Sequence, residues 1–232
     1  MPTPRRTQHV VPTVSNRTSR SDGVATRERI MAVALRLFSE HDIDATSTRD
    51  ILTEAGVNAG AIHYHFRSKR NLVIELMNTS FELVGDLETA SFDRVEQEQD
   101  PSPESVVEAF IAPMATLAAD ERGRQTVRFL LSTWRHPEFA ELHREREQEM
   151  MRRRLRAVAR IAPSASPAEH AVWSVVLAGV AIRFIANREG DSVVAAVLPG
   201  SEADVPAAVT RMLTNSLGGA ITPPRRATVA TS

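Results

Sequence analysis

Residues 46–72, TSTRDILTEAGVNAGAIHYHFRSKRNL, carry the pattern that decides the fold of this chain. Ser47 can cap a short helix, and Ser47 with Asp50 forms a capping box in which Asp takes the usual place of Glu. Gly56 follows that helix at the position where a left-handed turn favours glycine. A second short helix is then expected over residues 59–66. The stretch therefore predicts two short helices joined by a glycine turn.

The second short helix has an unusual outward face. Ile62 and Phe66 point inward because they lie four residues apart. Glycine near a helix start costs about 1 kcal/mol relative to alanine, which makes sense where another molecule must approach the backbone closely. Such a helix suits entry into a nucleic-acid groove. The residues expected to contact the nucleic acid in this groove are Asn58, Ala59, Gly60, Ala61, His63, Tyr64 and His65.

A third helix is expected to begin after Ser68, with Lys69 in its first turn. Lys69 is the only lysine among 28 basic residues. A cation in the first turn opposes the helix dipole unless a phosphate docks at the same helix end. Lys69 is therefore a candidate phosphate contact, although an arginine bias from GC-rich codon usage alone would also leave few lysines.

These residues resemble the DNA-binding domain of the TetR/AcrR family of transcriptional repressors. The family pattern is an apolar helix ending in Phe, followed by T-[ST]-x-x-x-I-x-x-x-A-G-V-[SN]-x-[GA]-x-[IL]-x-x-[HY]-F-x-[SN]-K-x-x-L. The chain fills nearly every fixed position between Thr26 and Leu72, about a fifth of its length. One departure is Asp42, which stands where members usually carry Gly. Aspartate tolerates the left-handed conformation better than most residues, so the turn is expected to survive.

The resemblance implies an all-α fold with an N-terminal three-helix helix-turn-helix domain and a C-terminal helical ligand-binding and dimerisation domain, about nine helices in all. It implies a ligand-responsive repressor that binds an inverted-repeat operator as a homodimer and is released by a small, largely apolar effector. An activator on the same scaffold and a helical enzyme with an incidental helix-turn-helix are the alternatives. The matching positions assign base contacts to Arg49 and His63, and phosphate contacts to Ser47, Thr48, Tyr64, His65 and Lys69.

Composition is consistent with that interpretation. Zero cysteines exclude thiol redox chemistry, disulfides and cysteine-ligated metals. The net charge is −1, but residues 1–72 hold 11 basic and 7 acidic residues and are positive, as local phosphate contact requires. The N-terminus has no apolar segment typical of a signal peptide and no run is long enough to span a membrane, so a cytoplasmic location is expected.

Catalytic and metal sites are not expected. His63 and His65 lie two apart on a helix and diverge by about 200°, so they do not converge on one ion. His41, Asp42 and Asp44 also permit a metal-ligand interpretation, but a turn with a solvated acidic cluster is favoured. The sequence contains no nucleophile elbow, phosphate-binding glycine loop or zinc-protease motif, and no cofactor is predicted.

Four segments are expected along the chain: a disordered basic tail over residues 1–22, the DNA-binding domain over 23–72, the ligand-binding and dimerisation domain over 73–219, and a disordered tail over 220–232. The first helix should begin near Ala25. In the body, helices are expected at about 69–97, 103–119, 124–134, 137–161, 167–188 and 204–217.

The helical body should enclose a ligand pocket. Its large apolar residues are candidate walls, although such residues at helical spacing are more often plain core. The arginine-rich run over residues 152–156 suggests an anionic ligand, but a solvated helix face balanced by Glu141, Glu145, Glu147 and Glu149 is the favoured interpretation. The candidate pocket residues are Phe110, Met114, Phe129, Trp134, Met150 and Trp173.

Small residues line one face of each of the last two helices, which permits close packing in a four-helix dimer interface. The alternative is packing within one chain. The candidate interface residues are Ala171, Val175, Ala178, Gly179, Ile182, Val205, Ala208, Val209 and Met212.

Overall fold

The computed structural model describes residues 15–186, with side chains over residues 22–182. Within that range the chain is all-helical, with no strand. Its elements are α1 (Ser15–His41), α2 (Thr48–Ala55), α3 (Ala61–Phe66), α4 (Lys69–Gln97), α5 (Pro103–Ala118), α6 (Glu121–Thr133), a 3₁₀ helix (Pro137–Phe139), α7 (Ala140–Ile161) and α8 (Pro167–Ala186). The helix predicted over 204–217, the tail over 220–232 and residues 1–14 lie outside the described part.

Side-chain caps explain where most of these helices begin. Ser47 starts α2, Ser68 starts α4 by accepting the Asn71 N–H at 3.1 Å, and Ser102 starts α5. Each satisfies one of the backbone donors left free at a helix start. Ser166 and Glu169 form the predicted capping box at α8, with Pro167 in the first helical position.

Four helix starts differ from the prediction, one of them that of α7, which begins at Ala140 after the 3₁₀ helix over Pro137–Phe139. α1 begins at Ser15, so residues 15–22, which we assigned to a disordered tail, are helical. That segment has no proline to stop a helix, and the absence of an apolar period concealed it. α3 begins at Ala61 rather than at 59, because the Asn58 side chain and carbonyl hold the preceding residues in a turn.

α6 begins at Glu121 rather than at Arg124. Asp120 caps it by accepting the Gly123 N–H at 2.8 Å. Gly123 is therefore in the first helical turn and is not itself a turn residue. A Cβ at this position would lie 2.0 Å from the Leu117 carbonyl oxygen, so only glycine fits here.

The buried residues form two cores. The N-terminal core gathers side chains from α1 to the start of α4, and two body residues, Phe129 and Phe139, join it. The body core is built from α4, α5, α6, α7 and α8, with Phe92, Val107 and Leu177 at its centre. None of the described helices is long and apolar enough to cross a membrane.

Candidate functional site

The segment from α2 to α3 forms a capped helix-turn-helix. Ser47 and Asp50 make the predicted reciprocal capping box, with 3.1 Å between Asp50 N and Ser47 Oγ and 3.0 Å between Ser47 N and Asp50 Oδ2. Gly56 adopts the left-handed conformation at φ 62°. Val57 N–H then bonds to Leu52 O at 3.1 Å, which closes the turn. These local bonds fix how α3 is presented.

The outward face of α3 is open. Tyr64 is 79% exposed, and the edge of the half-buried His65 ring packs on it with 4.8 Å between centroids. His63 is exposed, with its Nδ1 3.2 Å from Arg67 O. Around Gly60 a Cβ would meet only the Asn58 side chain, at 3.6 Å. Ala59 is exposed as well, so the small residues leave room for a close approach to the backbone.

Ala61 does not belong to that face. It is 6% exposed and packs in the N-terminal core with Ile62 and Phe66. Ala61 therefore offers almost no surface to DNA, and its predicted contact stays a prediction. Ala61 is the first residue of α3, and its side chain belongs to the buried face of this short helix.

Basic side chains surround α3 without carboxylate partners among the described residues. Arg49 is exposed in the first turn of α2, and Arg67 and Arg70 are exposed after α3. Arg67 has φ 70° at the end of α3. Arg67 and Arg70 were not among the residues singled out in the sequence, although both lie close to α3 along the chain. The Arg70 guanidinium lies 5.9 Å from the centre of the Phe139 ring. Exposed cations without carboxylate partners contribute to the positive potential that phosphates require.

Two of the predicted phosphate contacts are already engaged within the chain. The Ser47 hydroxyl donates to Asp50 Oδ2 at 2.6 Å while accepting from Asp50 N–H. The Lys69 ammonium donates to Ile43 O at 2.5 Å and lies 5.9 Å from the centre of the Phe38 ring. Lys69 thus ties the start of α4 to the turn after α1. Thr48 is exposed. Phosphate contact by these three residues remains a prediction.

Asp42 occupies the expected left-handed turn after α1, at φ 76°. Its Oδ1 lies 3.1 Å from His136 Nε2, and its Oδ2 accepts a hydrogen bond from Arg135. Burial raises the pKa of Asp42, but the bonds from His136 and Arg135 outweigh it, so the pKa lies below its ordinary value. The residue that departs from the family pattern therefore links the helix-turn-helix domain to the body.

A cavity of about 480 Å³ opens inside the body. Phe110, Met114, Trp134 and Met150, all predicted as walls, line it. Such a volume accommodates a small organic molecule. The residues that sequence reasoning missed on the wall include Phe81, Val84, Glu88, Val127, Leu130, Leu131, Glu147 and Arg154.

Two predicted wall residues are absent from this lining. Phe129 is fully buried against Phe38 of α1, with ring centroids 6.0 Å apart. Trp173 is half-buried and packs against the body core. Phe129 is buried and Trp173 is half-buried, but helical periodicity does not distinguish a cavity wall from either core.

Three charged side chains meet at the cavity. Arg154 is 4% exposed; its Nη2 donates to Glu88 Oε1 at 2.7 Å and its Nη1 to Glu147 Oε1 at 3.1 Å. Burial raises the pKa of Glu88, and Arg154 offsets only part of that effect. The expectation of a solvated arginine face is therefore wrong for Arg154. Both Glu88 and Arg154 fall on apolar helical stripes, which is the signal that would have identified them.

α6 has one face in each core. Leu130, Leu131 and Trp134, which follows its last turn, lie on the cavity, whereas Phe129 lies in the N-terminal core. Trp134 stacks on His143 with 4.2 Å between ring centroids. The next two residues, Arg135 and His136, hold Asp42. Trp134, which lines the cavity, is thus followed directly in sequence by Arg135 and His136, which contact Asp42 in the turn after α1.

α8 presents apolar residues at the surface of the described chain. Val172 and Val175 are 61% and 58% exposed, and Val176 is exposed beside them. Of the predicted interface residues, Val175, Ala178, Gly179 and Ile182 also line the cavity, and Ala171 is half-buried. The other four, Val205, Ala208, Val209 and Met212, lie outside the described residues.

Comparison with known families gives two matches on this chain. Residues 30–76 match the model described as bacterial regulatory proteins, tetR family, and residues 108–219 match the one described as tetracyclin repressor-like, C-terminal domain. Together the two models cover both parts of the fold described above.

Curated relatives are similar over the N-terminal part. The HTH-type transcriptional regulator AcrR of Shigella flexneri is 40% identical over 72 residues, which is 31% of this chain and 34% of that protein. The regulator QacR of Staphylococcus aureus is 35% identical over 52 residues, 22% of this chain and 28% of its own length. The chain thus matches only about a third of the length of these relatives.

Solved structures share the whole fold. A bacterial regulatory protein in the tetR family from Rhodococcus RHA1 superposes with a TM-score of 0.66 at 17% identity, covering 83% of this chain and 96% of that one. The ketosteroid transcriptional regulator KstR2 of Mycobacterium tuberculosis gives 0.60 at 18% identity, covering 82% and 93%. At this identity the likeness concerns the fold alone.

Proposed function

Because this chain belongs to the TetR family of bacterial regulatory proteins, we propose that it is a transcriptional repressor that binds operator DNA through α2 and α3 and is released by a small molecule in the body cavity. The observation that carries the proposal is the pairing of an open, cationic α3 surface with an apolar cavity through one shared helix, α6. Such a protein acts in the cytoplasm, where the chromosome is.

The DNA contacts proposed are those of the exposed α2–α3 surface. Arg49 and His63 read base edges, and Thr48, Tyr64 and His65 contact phosphates, together with Ser47 and Lys69 where their internal bonds permit. Gly60, Ala59 and Asn58 allow the backbone to come close. Because short side chains make few hydrogen bonds, Arg49 supplies much of the base discrimination. Arg67 and Arg70 add positive charge beside the groove.

A dimer is part of the proposal. One α3 covers only a few base pairs, and two copies must lie about 34–36 Å apart, or a multiple of that distance, to read two half-sites of an inverted repeat. The exposed apolar side chains of α8 support α8 as one half of the interface. At Gly179 a Cβ would meet nothing within 4 Å among the described residues, so Gly179→Leu probes packing between chains. Because Gly179 also lines the cavity, the variant is judged by its assembly and not by its response to a ligand.

The DNA-binding proposal is tested by titrating the protein onto a labelled fragment from upstream of its own gene, at several salt concentrations. Arg49→Ala should weaken binding by about 1–3 kcal/mol and relax specificity at one base pair. Lys69→Ala should weaken binding to all sequences evenly and lower the salt slope by about one. Arg146→Ala, which removes an exposed charge from α7, is the control and should change neither quantity.

Two results would contradict the proposal. One is equal affinity of the wild type for the upstream fragment and for a scrambled fragment. The other is an Arg49→Ala variant that binds as the wild type does.

Light scattering tests the assembly. A wild type that stays monomeric at micromolar concentration, or a Gly179→Leu variant that stays fully dimeric, would contradict the proposal that α8 forms the dimer interface.

A further inference from the structure

The charged cluster on the cavity wall holds more carboxylate than it can neutralise. Arg154 donates to Glu88 through Nη2 at 2.7 Å and to Glu147 through Nη1 at 3.1 Å. Each glutamate accepts through its Oε1 atom, and neither Oε2 atom has a hydrogen-bond partner among the described residues. All three side chains line the cavity. One guanidinium therefore serves two carboxyl groups, and two acceptor oxygens remain unbonded.

The described part of the wall offers no further cation to balance that excess. Glu88, Glu147 and Arg154 are the only charged residues among the described ones that line the cavity. The two arginines that come before Arg154 in α7, Arg152 and Arg153, are paired with carboxylates that do not lie on the wall. Either the second carboxyl group of the cluster is protonated, or a cation supplied by a ligand balances it.

Protonation does not make the cluster positive. Burial raises the pKa of Glu88, and Arg154 offsets only part of that effect. With Glu147 ionised, the cluster is neutral when Glu88 is protonated and carries one negative charge when it is not. Burial lowers the pKa of His143, which stacks on Trp134, so this ring adds no positive charge near neutral pH. An anionic ligand would therefore find no counter-charge here, whereas a cationic ligand would.

Aromatic side chains on the same wall also favour a cation. Phe81, Phe110 and Trp134 line the cavity together with the cluster. The face of an aromatic ring attracts positive charge, most strongly where water is excluded. A compact ammonium group is strongly hydrated and loses that hydration in an apolar cavity, whereas a charge covered by alkyl or aromatic groups loses less. The methionines on the wall adapt to the irregular shape of an apolar body.

We infer that the effector is a hydrophobic organic monocation, whose charged nitrogen lies between the carboxyl groups of Glu88 and Glu147 and the aromatic rings while its apolar body fills the rest of the cavity. This inference rests on the proposed function, because it takes the cavity as the effector site. It narrows the effector to molecules with one quaternary or otherwise substituted cationic nitrogen. It excludes carboxylates and uncharged hydrocarbons as optimal ligands.

Three naphthalene probes test the charge preference on the full-length protein near neutral pH, by the fluorescence anisotropy of the naphthalene ring. They are trimethyl(2-naphthylmethyl)ammonium, 2-neopentylnaphthalene (in which an uncharged carbon replaces the nitrogen) and 2-naphthylacetate. The ammonium should bind at least about tenfold more tightly than its neutral isostere, as expected for a cation held by desolvated aromatic rings. Burial of apolar surface alone would favour the isostere, so the hydrophobic effect opposes this result. Equal or weaker binding of the ammonium, tightest binding of the carboxylate, or no binding by any probe would overturn the inference.

Two matched variants separate the wall carboxylate from the charge of the whole protein. Glu147→Gln keeps the size of the side chain and removes its charge, so it should weaken binding of the ammonium about fivefold to tenfold and leave the neutral isostere unchanged. Glu145→Gln removes the same charge from an exposed position of α7 outside the wall and should change neither affinity. An equal loss for both probes in Glu147→Gln, or an equal effect of the two variants, would contradict the inference. If Glu147→Gln fails to fold, the comparison of ammonium and isostere on the wild type still decides.

Failure of the proposed function gives a different result. It shows as absence of specific operator binding by the unliganded protein, which is measured before any probe is added. A protein that binds its operator but does not prefer the ammonium refutes only the effector class. An ammonium probe that binds with the expected preference but does not weaken operator binding refutes release through the cavity, and with it the role of the cation as effector.

Discussion

Replacing Asp42 separates two energies that act in opposite directions at the turn after α1. The wild-type residue holds φ 76°, a conformation that costs a typical L-residue about 1–2 kcal/mol and aspartate somewhat less. Glycine has no such cost. Against this, the carboxylate bonds to His136 and Arg135 of the body and accepts the Ile43 N–H at 2.5 Å.

The magnitudes follow from exposure. The Arg135 side chain is 65% exposed, so its pair with Asp42 contributes about 0.2–1 kcal/mol. The His136 side chain is nearly buried, and losing its charged partner costs about 1–3 kcal/mol. Asp42→Ala should therefore destabilise the protein by about 2–3 kcal/mol. Asp42→Gly loses the same contacts but relieves the backbone, so it should be about 1 kcal/mol more stable than Asp42→Ala.

Urea denaturation of the wild type and both variants measures these differences. If the two variants have the same unfolding free energy, the left-handed conformation at residue 42 does not carry the backbone cost assigned to it. If Asp42→Ala is as stable as the wild type, the contacts to the body contribute nothing. Because the pKa of Asp42 is lowered in the folded protein, its contribution is complete above the unfolded value of about 3.9 and is lost as pH falls below it. Asp42→Asn should lack that loss.

Three further outcomes are expected. Gly123→Ala places a Cβ 2.0 Å from the Leu117 carbonyl oxygen and should destabilise the protein by about 2–3 kcal/mol. Gly85→Ala, which has open space inside α4, should instead stabilise the protein by about 0.5–1 kcal/mol. Chemical denaturation measures both unfolding free energies, and a change of the same sign in both variants would contradict this reasoning. Burial lowers the pKa of His143, so its contribution to stability is complete above about pH 6.5 and declines as pH falls below that value. Between pH 7 and pH 5, the thermal unfolding temperature of His143→Asn should therefore fall less than that of the wild type. If both unfolding temperatures fall equally with pH, His143 is not the group responsible. Phe129→Ala should lower the free energy of unfolding by about 3–5 kcal/mol. It should also lower the affinity for operator DNA, because the N-terminal core loses a packed ring. A folded variant with unchanged affinity would show that this core does not depend on α6.

Local signals in the sequence were sufficient for the helix-turn-helix. Capping by Ser47, the left-handed Gly56 and the inward pair Ile62 and Phe66 each depend on residues within a few positions of one another. The same holds for the start of α8 at Ser166. Residues 15–22 are polar and show no apolar period, so their helix was not predicted.

The cavity and its connections depend on distant residues and could not be predicted in the same way. Arg154 reaches Glu88 across 66 positions, and Arg135 reaches Asp42 across 93. Periodicity showed that Phe129 is buried, but not that it is buried in the other domain's core. A charged residue on an apolar stripe was available as a signal for Glu88 and Arg154, but the abundance of arginine in α7 obscured it.

The placement of Phe129 and Phe139 has a consequence for how this protein can be recombined. The core around the helix-turn-helix is discontinuous in sequence, since it includes the first helices and also Phe129 and Phe139. A helix-turn-helix head cut off after α4 would leave Phe38 without the ring of Phe129 that packs against it. Chimeric sensors made by joining this head to another regulator's body would therefore need to transplant both segments, or to supply an aromatic residue at the equivalent of position 129.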